Sequence, residues 1–164
     1  MSDTEVKESQ QAPDFTLAAI GLQDVVKNNQ VHLSDLRGKV IVLYFYPKDD
    51  TPGCTKEACS FRDVYHELQK RGAVVLGVST DSEESHKKFA EKYGLPFPLL
   101  ADTDARVSQT YGVYGEKSMY GKTFMGVTRA TFLIDKEGVV RKIWPKVKPD
   151  EHAGEVLEAL EELK

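Results

Sequence analysis

An α/β domain, with a central mixed sheet flanked by helices, is the fold class that this 164-residue sequence predicts. Three observations predict it. Two runs, KVIVLYFYP at residues 39–47 and AVVLGVS at residues 73–79, are apolar at nearly every position and rich in β-branched and aromatic residues. Such runs are strands buried on both faces, as parallel strands covered by helices are. Each is followed by a segment of helical apolar period that stops at a glycine, Gly72 or Gly94. The chain then closes with a hairpin pattern and an amphipathic terminal segment.

Residues 1–11 are polar and acidic and read as a flexible N-terminus, and residues 12–164 as one domain. DFTLA at 14–18 alternates as a short strand does. VHL at 31–33 is its partner across a polar loop with a turn at Asn28-Asn29. Ser34 is placed to cap a single turn ending at Gly38. After the first buried strand, residues 54–71 carry Ala58, Phe61, Tyr65 and Leu68 on one helical face. Ser82 caps the next helix, which runs to about Tyr93. PFPLL at 96–100 is a short extended piece, and Asp102 or Asp104 caps a short helix ending near Tyr111. Residues 115–127 hold Gly115, Ser118, Gly121 and Gly126 and read as a loop. ATFLID, a Lys136-Glu137-Gly138 turn and VVRKIWPKV read as a hairpin, and residues 151–164 as a helix with Val156, Leu157 and Leu160 on its apolar face. Tyr44 and Phe45 are expected in the core, whereas Trp144 has no assignable place. This order of elements matches the thioredoxin-like fold.

The 40% hydrophobic and 29% charged composition is ordinary for a globular chain, and no apolar run approaches the roughly 18 residues of a membrane-spanning helix. The net charge of −4 is mixed along the chain, with neither a basic stripe for nucleic acid nor a polybasic membrane patch. The N-terminus lacks the basic and apolar regions of a signal peptide, so a cytosolic protein is expected. Two cysteines are too few for a structural disulfide framework, which would also be unusual in that reducing compartment.

Both cysteines stand in FYPKDDTPGCTKEACSFRD, residues 45–63. Thr51 suits a helix N-cap and Pro52 the first helical position. Cys54 then lies in the first turn, where unpaired backbone N–H groups and the positive end of the helix dipole favour a thiolate. Cys54 is therefore the better nucleophile of the two. Cys59 follows five residues later, ~140° around the helix axis and ~7.5 Å along it. That exceeds the ~7 Å Cα separation that a disulfide spans, so any bond between them requires local unwinding. A buried, unreactive thiol is the alternative for either cysteine, and more so for Cys59 beside Ala58 and Phe61. The C-x₄-C spacing, with His32, His66, His86 and His152 in unrelated elements, is not a zinc pattern, nor is it a redox C-x-x-C.

Pro47, Thr51 and Cys54, in PKDDTPGC after a buried strand, resemble the peroxidatic motif of the peroxiredoxins. YFYPKDDTPGCTKEACSFRD is similar to the bacterioferritin comigratory protein, or peroxiredoxin Q, branch, many members of which carry a second cysteine at this spacing. APDFTL, LRGKVIVLYFYP, VLGVSTDS, KYGLPFPLLAD and RATFLIDKEGVVRKIW are similar to successive blocks of the same family, over roughly residues 11–160.

The resemblance implies a thiol-dependent peroxidase. Cys54 would be the peroxidatic cysteine and Cys59 the resolving one, the two joining in an intramolecular disulfide. Thr51 would hydrogen-bond peroxide and thiolate, Pro47 would shield the sulfur from water, and Arg129 would lie beside it. Glu57 matches a supporting position. Without the family, Arg129 reads as a surface residue at a strand start. The resemblance further implies hydrogen peroxide or organic hydroperoxides as substrates and thioredoxin, or a glutaredoxin, as reductant. It implies no metal, haem or flavin, and a monomer. A thiol–disulfide oxidoreductase is disfavoured by the missing C-x-x-C, while an added sensor or holdase role stays open.

Overall fold

The computed structural model describes residues 6–21 and 24–163. Its frame is one seven-stranded mixed sheet in the order β2-β1-β5-β4-β3-β8-β9. The two apolar runs are its centre. β3 (Val40–Phe45) and β4 (Ala73–Ser79) pair in parallel, and β4 pairs in parallel with β5 (Leu99–Ala101). On the far side of β3, β8 (Ala130–Ile134) and β9 (Val140–Trp144) form the expected antiparallel hairpin. At the other edge β1 (Thr16–Ile20) pairs with β2 (Gln30–His32) across the Asn28-Asn29 turn, both asparagines having positive φ.

The sheet has a core on each face, which is why β3 is buried at all six positions. Ile41, Leu43 and Phe45 point into one core, with Phe132 and Ile134. Val42, Tyr44 and Tyr46 point into the other, with Cys54, Phe61, Phe97 and Val156. That second core is covered by α1 (Pro52–Asp63), α2 (Tyr65–Lys70), α3 (Glu83–Tyr93) and the terminal α5 (His152–Glu162). Ser82 caps α3 as expected, its hydroxyl accepting from the Ser85 N–H, and Gly94 ends it in the left-handed conformation. The buried carboxylate of Asp102 accepts from the N–H groups of Val107 and Ser108 and so caps α4 (Arg106–Thr110). Among the described residues, no helix is long and apolar enough to cross a membrane.

Four local expectations differ from the structure. The helix expected over residues 54–71 is two helices, broken at the β-branched Val64, whose φ and ψ of −110° and 12° leave the helical region. Residues 115–127 are not a loop. They form a two-stranded hairpin of β6 (Tyr114–Met119) and β7 (Lys122–Val127), turned by Tyr120 and Gly121 at positive φ. The glycines that suggested a loop face each other across it, Gly115 opposite Gly126. The single turn near Ser34 spans Leu33–Leu36 with His32 at its cap, and Ser34 instead donates its N–H to Asp14. Of the expected flexible N-terminus, residues 1–5 lie outside the described residues, but the next stretch is docked. Ser9 and Gln10 exchange backbone hydrogen bonds with Val140, at 2.7 and 2.8 Å. The reason is that β9 is an edge strand with unpaired backbone groups.

Candidate active site

The site forms where β3 ends. Antiparallel pairing sets Ala130 opposite Phe45, so Arg129, one residue before β8, lies beside the chain as it leaves β3 for α1. Residues 47–51 make that passage, and Thr51 stands at the N-cap of α1 with extended backbone and Pro52 next to it. The Thr51 hydroxyl does not cap. It donates to the Lys48 carbonyl at 3.0 Å, which leaves its oxygen able to accept. The backbone N–H groups of Gly53 and Cys54 fall in the first turn, where a helix offers them no acceptor and an anion is stabilised.

Cys54, Glu57, Ala58 and Phe61 form the buried stripe of α1, at the i, i+3, i+4, i+7 positions of one face. Cys54 is 1% exposed. The Arg129 guanidinium bridges the first two of these residues. Its Nη2 donates to Cys54 Sγ at 3.4 Å and its Nη1 to Glu57 Oε1 at 2.7 Å. Burial works against the Arg129 charge, but the Cys54 sulfur and the Glu57 carboxyl outweigh it and raise its pKa above the ordinary value. Burial pushes Glu57 up to about 7, against the opposing pull of Arg129. The second Glu57 oxygen has no hydrogen-bond partner among the described residues.

The structure thus brings Cys54, Arg129 and Glu57 into direct contact. Thr51 and the half-buried Pro47 stand on the loop leading in, without a hydrogen bond to the sulfur. Cys59 lies off the buried stripe, half-buried, and both cysteines are free thiols in an unbroken helix.

Two residues have a part here that sequence reasoning missed. Gly53 makes room for the guanidinium, since a Cβ there would sit 3.0 Å from Arg129 Nη2. Its signal was a glycine in the first turn of a helix, where it costs helix propensity. Tyr44 does pack in the core, stacked against Tyr46 and tilted against Phe61. Its buried hydroxyl, however, has no partner among the described residues and feels the charges of Glu57 and Cys54. Burial, before those charges, pushes its pKa well above the usual phenol range, so it stays a donor. Trp144 packs edge-on against the fully buried His152 of α5, whose Nε2 is 2.8 Å from the Thr131 hydroxyl.

The Glu57 shift has a measurable consequence. Its folded-state pKa, about 7, is above the ordinary 4.5. The folded chain therefore holds the proton more tightly than the unfolded one. The stability this confers is complete below about 4.5 and is lost as pH rises through about 7. Between about pH 5 and about pH 8 the urea midpoint of the wild type is expected to fall more than that of Glu57→Gln. An equal fall in both proteins would show that Glu57 does not titrate in this range.

Residues 9–143 match the model of the AhpC/TSA family. The chain is 52% identical over 152 residues to a putative peroxiredoxin bcp of Coxiella burnetii, covering 93% of this chain and 97% of the relative. It is 48% identical over 154 residues to the peroxiredoxin Bcp of Bacillus subtilis, covering 94% of each. Among solved structures, the bacterioferritin comigratory protein of Xanthomonas campestris, described with an alkyl peroxide reduction activity, is 42% identical with a TM-score of 0.82 over 91% of each chain. A PrxQ mutant of Xylella fastidiosa superposes with a TM-score of 0.87 at 35% identity, covering 97% of this chain and 98% of that one. With a half-buried arginine on a buried helix-start thiol and this agreement along the chain, the protein belongs to the AhpC/TSA family, as a thiol-dependent peroxidase of the bacterioferritin comigratory protein, or peroxiredoxin Q, branch.

Proposed function

We propose that Cys54 attacks the peroxide and that Cys59 resolves the product. The observation that carries this reading is the Arg129 guanidinium donating to Cys54 Sγ at 3.4 Å, at the positive end of α1. In the first step the Cys54 thiolate attacks one peroxide oxygen. The S–O bond forms, the O–O bond breaks, and the other oxygen leaves as hydroxide or alkoxide and takes a proton. The sulfur is oxidised by two electrons to a sulfenic acid, and the peroxide is reduced to water or an alcohol. Arg129 and the helix-start N–H groups stabilise the charge that grows on the leaving oxygen. Thr51 accepts from the peroxide O–H and holds it in line. Pro47 keeps water from the sulfur, and Glu57 holds the guanidinium in place. Hydrogen peroxide and organic hydroperoxides are the substrates in this reading.

In the second step the Cys59 thiol displaces the sulfenic oxygen as water, and a Cys54–Cys59 disulfide forms. In the intact α1 the two residues are ~7.5 Å apart along the axis, so the helix unwinds locally to let them meet. Thioredoxin, or a glutaredoxin, then reduces the disulfide by exchange, in the cytosol, and the enzyme works as a monomer.

Peroxide-dependent NADPH oxidation through thioredoxin and its reductase tests the cycle. In Cys59→Ser the first turnover is expected to proceed and the intramolecular disulfide to vanish. Mass spectrometry should then find Cys54 as a sulfenic acid trapped by a dione reagent, or in a mixed disulfide. An oxidised product unchanged from the wild type would remove Cys59 from the mechanism.

A further inference from the structure

Behind the loop of residues 47–51 lies a second group of buried polar side chains, built from α3 and the ends of β4 and β5. Asp49, almost fully buried in that loop, is its centre. Its Oδ1 accepts from the Tyr46 hydroxyl at 2.6 Å. Its Oδ2 accepts from the Ser85 hydroxyl at 2.7 Å and meets His86 Nδ1 at 2.8 Å. The Asp49 N–H donates to Asp81 Oδ2 at 2.8 Å, and the Ser79 hydroxyl donates to the same oxygen at 2.8 Å. His86 is fully buried, with its Nε2 2.8 Å from the Leu100 carbonyl.

The Leu100 carbonyl only accepts, so His86 donates to it from Nε2, and at 2.8 Å His86 Nδ1 and Asp49 Oδ2 share a hydrogen bond. His86 and Asp49 are then a buried, direction-specific pair. Asp49, Asp81 and His86 are close enough to hold a metal ion. The carboxylate atoms that meet there already accept from protein donors, and those bonds tie the loop to its neighbours as a brace.

The next residue adds a second tie. Asp50, with φ of 56°, accepts from Lys92 Nζ and from the Tyr93 hydroxyl, both at 2.8 Å. Asp49 thus fastens the loop to the start of α3, and Asp50 fastens it to the end. Thr51, the N-cap of α1, follows immediately.

We propose that His86 is a positioning residue for peroxide reduction. Through Asp49 it holds the 47–51 loop, and with it the first turn of α1, where Cys54 meets both Arg129 and peroxide. This rests on the assignment of Cys54 as the attacking cysteine. A misplacement of ~1 Å at a reacting group costs up to ~100-fold in rate, so a buried brace two residues from the N-cap is a sensitive place. The brace acts on the attack step alone. With the disulfide formed, α1 is unwound and there is no helix start to position.

Steady-state kinetics of His86→Gln and Asp49→Asn tests this, with hydrogen peroxide and dithiothreitol varied in turn. In a ping-pong cycle each kcat/KM reports one half-reaction. The kcat/KM for peroxide is expected to fall about tenfold in each single variant. It should fall no further in the double variant, because the two residues act as one unit. The kcat/KM for dithiothreitol should stay within about twofold of the wild type. Ser85→Ala, which removes one donor and leaves the Asp49–His86 contact, is expected to lose about threefold for peroxide. Wild-type peroxide kcat/KM in folded His86→Gln overturns the proposal, as does a parallel fall in both parameters. Should the buried variants unfold by circular dichroism, a wild-type value in Ser85→Ala overturns it instead. Cys54→Ser in the same assay separates the two levels. Turnover without Cys54 overturns the parent assignment, whereas full turnover by His86→Gln with Cys54 essential overturns only the role of His86.

Discussion

Cys54→Ser is expected to lower peroxide turnover by at least about a thousandfold. In the proposed cycle the Cys54 thiolate is the nucleophile, and a serine hydroxyl stays protonated at neutral pH and attacks an O–O bond poorly. The substitution is nearly isosteric in a site that is 1% exposed, and the Arg129 donor remains to satisfy the new oxygen. The fold is therefore expected to survive, so the loss reads chemistry rather than unfolding. The check is the NADPH-coupled rate together with the mass of the peroxide-treated protein, which should show no loss of two hydrogens. Turnover within tenfold of the wild type would place the attacking group elsewhere.

Arg129→Gln is expected to cost about 10²- to 10³-fold in kcat/KM for peroxide, the size of effect seen when a preorganised donor to a developing oxyanion is removed. The guanidinium makes two contacts from one rigid fork, 3.4 Å to the sulfur and 2.7 Å to Glu57. Lysine offers a single point charge on a flexible stem, so Arg129→Lys is expected to recover only a small part of the rate. Stopped-flow measurement of the peroxide half-reaction checks both. A lysine variant as fast as the wild type would mean that charge alone suffices and that the fork geometry is incidental. The substitution also strips the counter-charge from the fully buried Glu57, and its carboxyl is then expected to bind its proton more tightly still.

Much of this was readable in the residues because it is local. Two-sided burial shows in residues 39–47 and 73–79 as uninterrupted apolar runs, and a stop shows as Gly72 or Gly94. What was misread depends on pairing at a distance. Gly115 and Gly126 look like loop residues until they stand opposite each other in a ribbon. Residues 9 and 10 look unstructured until the edge of β9 offers them partners. The site divides in the same way. Helix chemistry singles out Cys54, because a cap and a proline precede it. Arg129 is 75 residues away, and nothing in its own neighbourhood marks it. It was found only through the family resemblance. Gly53 and Tyr44 were missed because their part arises from tertiary contact, one by yielding space to Arg129 and the other by lodging a hydroxyl near Glu57 and Cys54. Asp49 and His86, 37 residues apart, are a further case.

Residues 52–63 are expected to take two conformations, a helix for attack and an opened form for the disulfide. Hydrogen exchange of the backbone amides, read by mass spectrometry on reduced and on peroxide-treated protein, tests it most directly. The prediction is a loss of two hydrogens mapped to a Cys54–Cys59 link, together with lost protection over α1 and retained protection in β3 and β4. A mapped Cys54–Cys59 link with α1 still protected as in the reduced protein would contradict it.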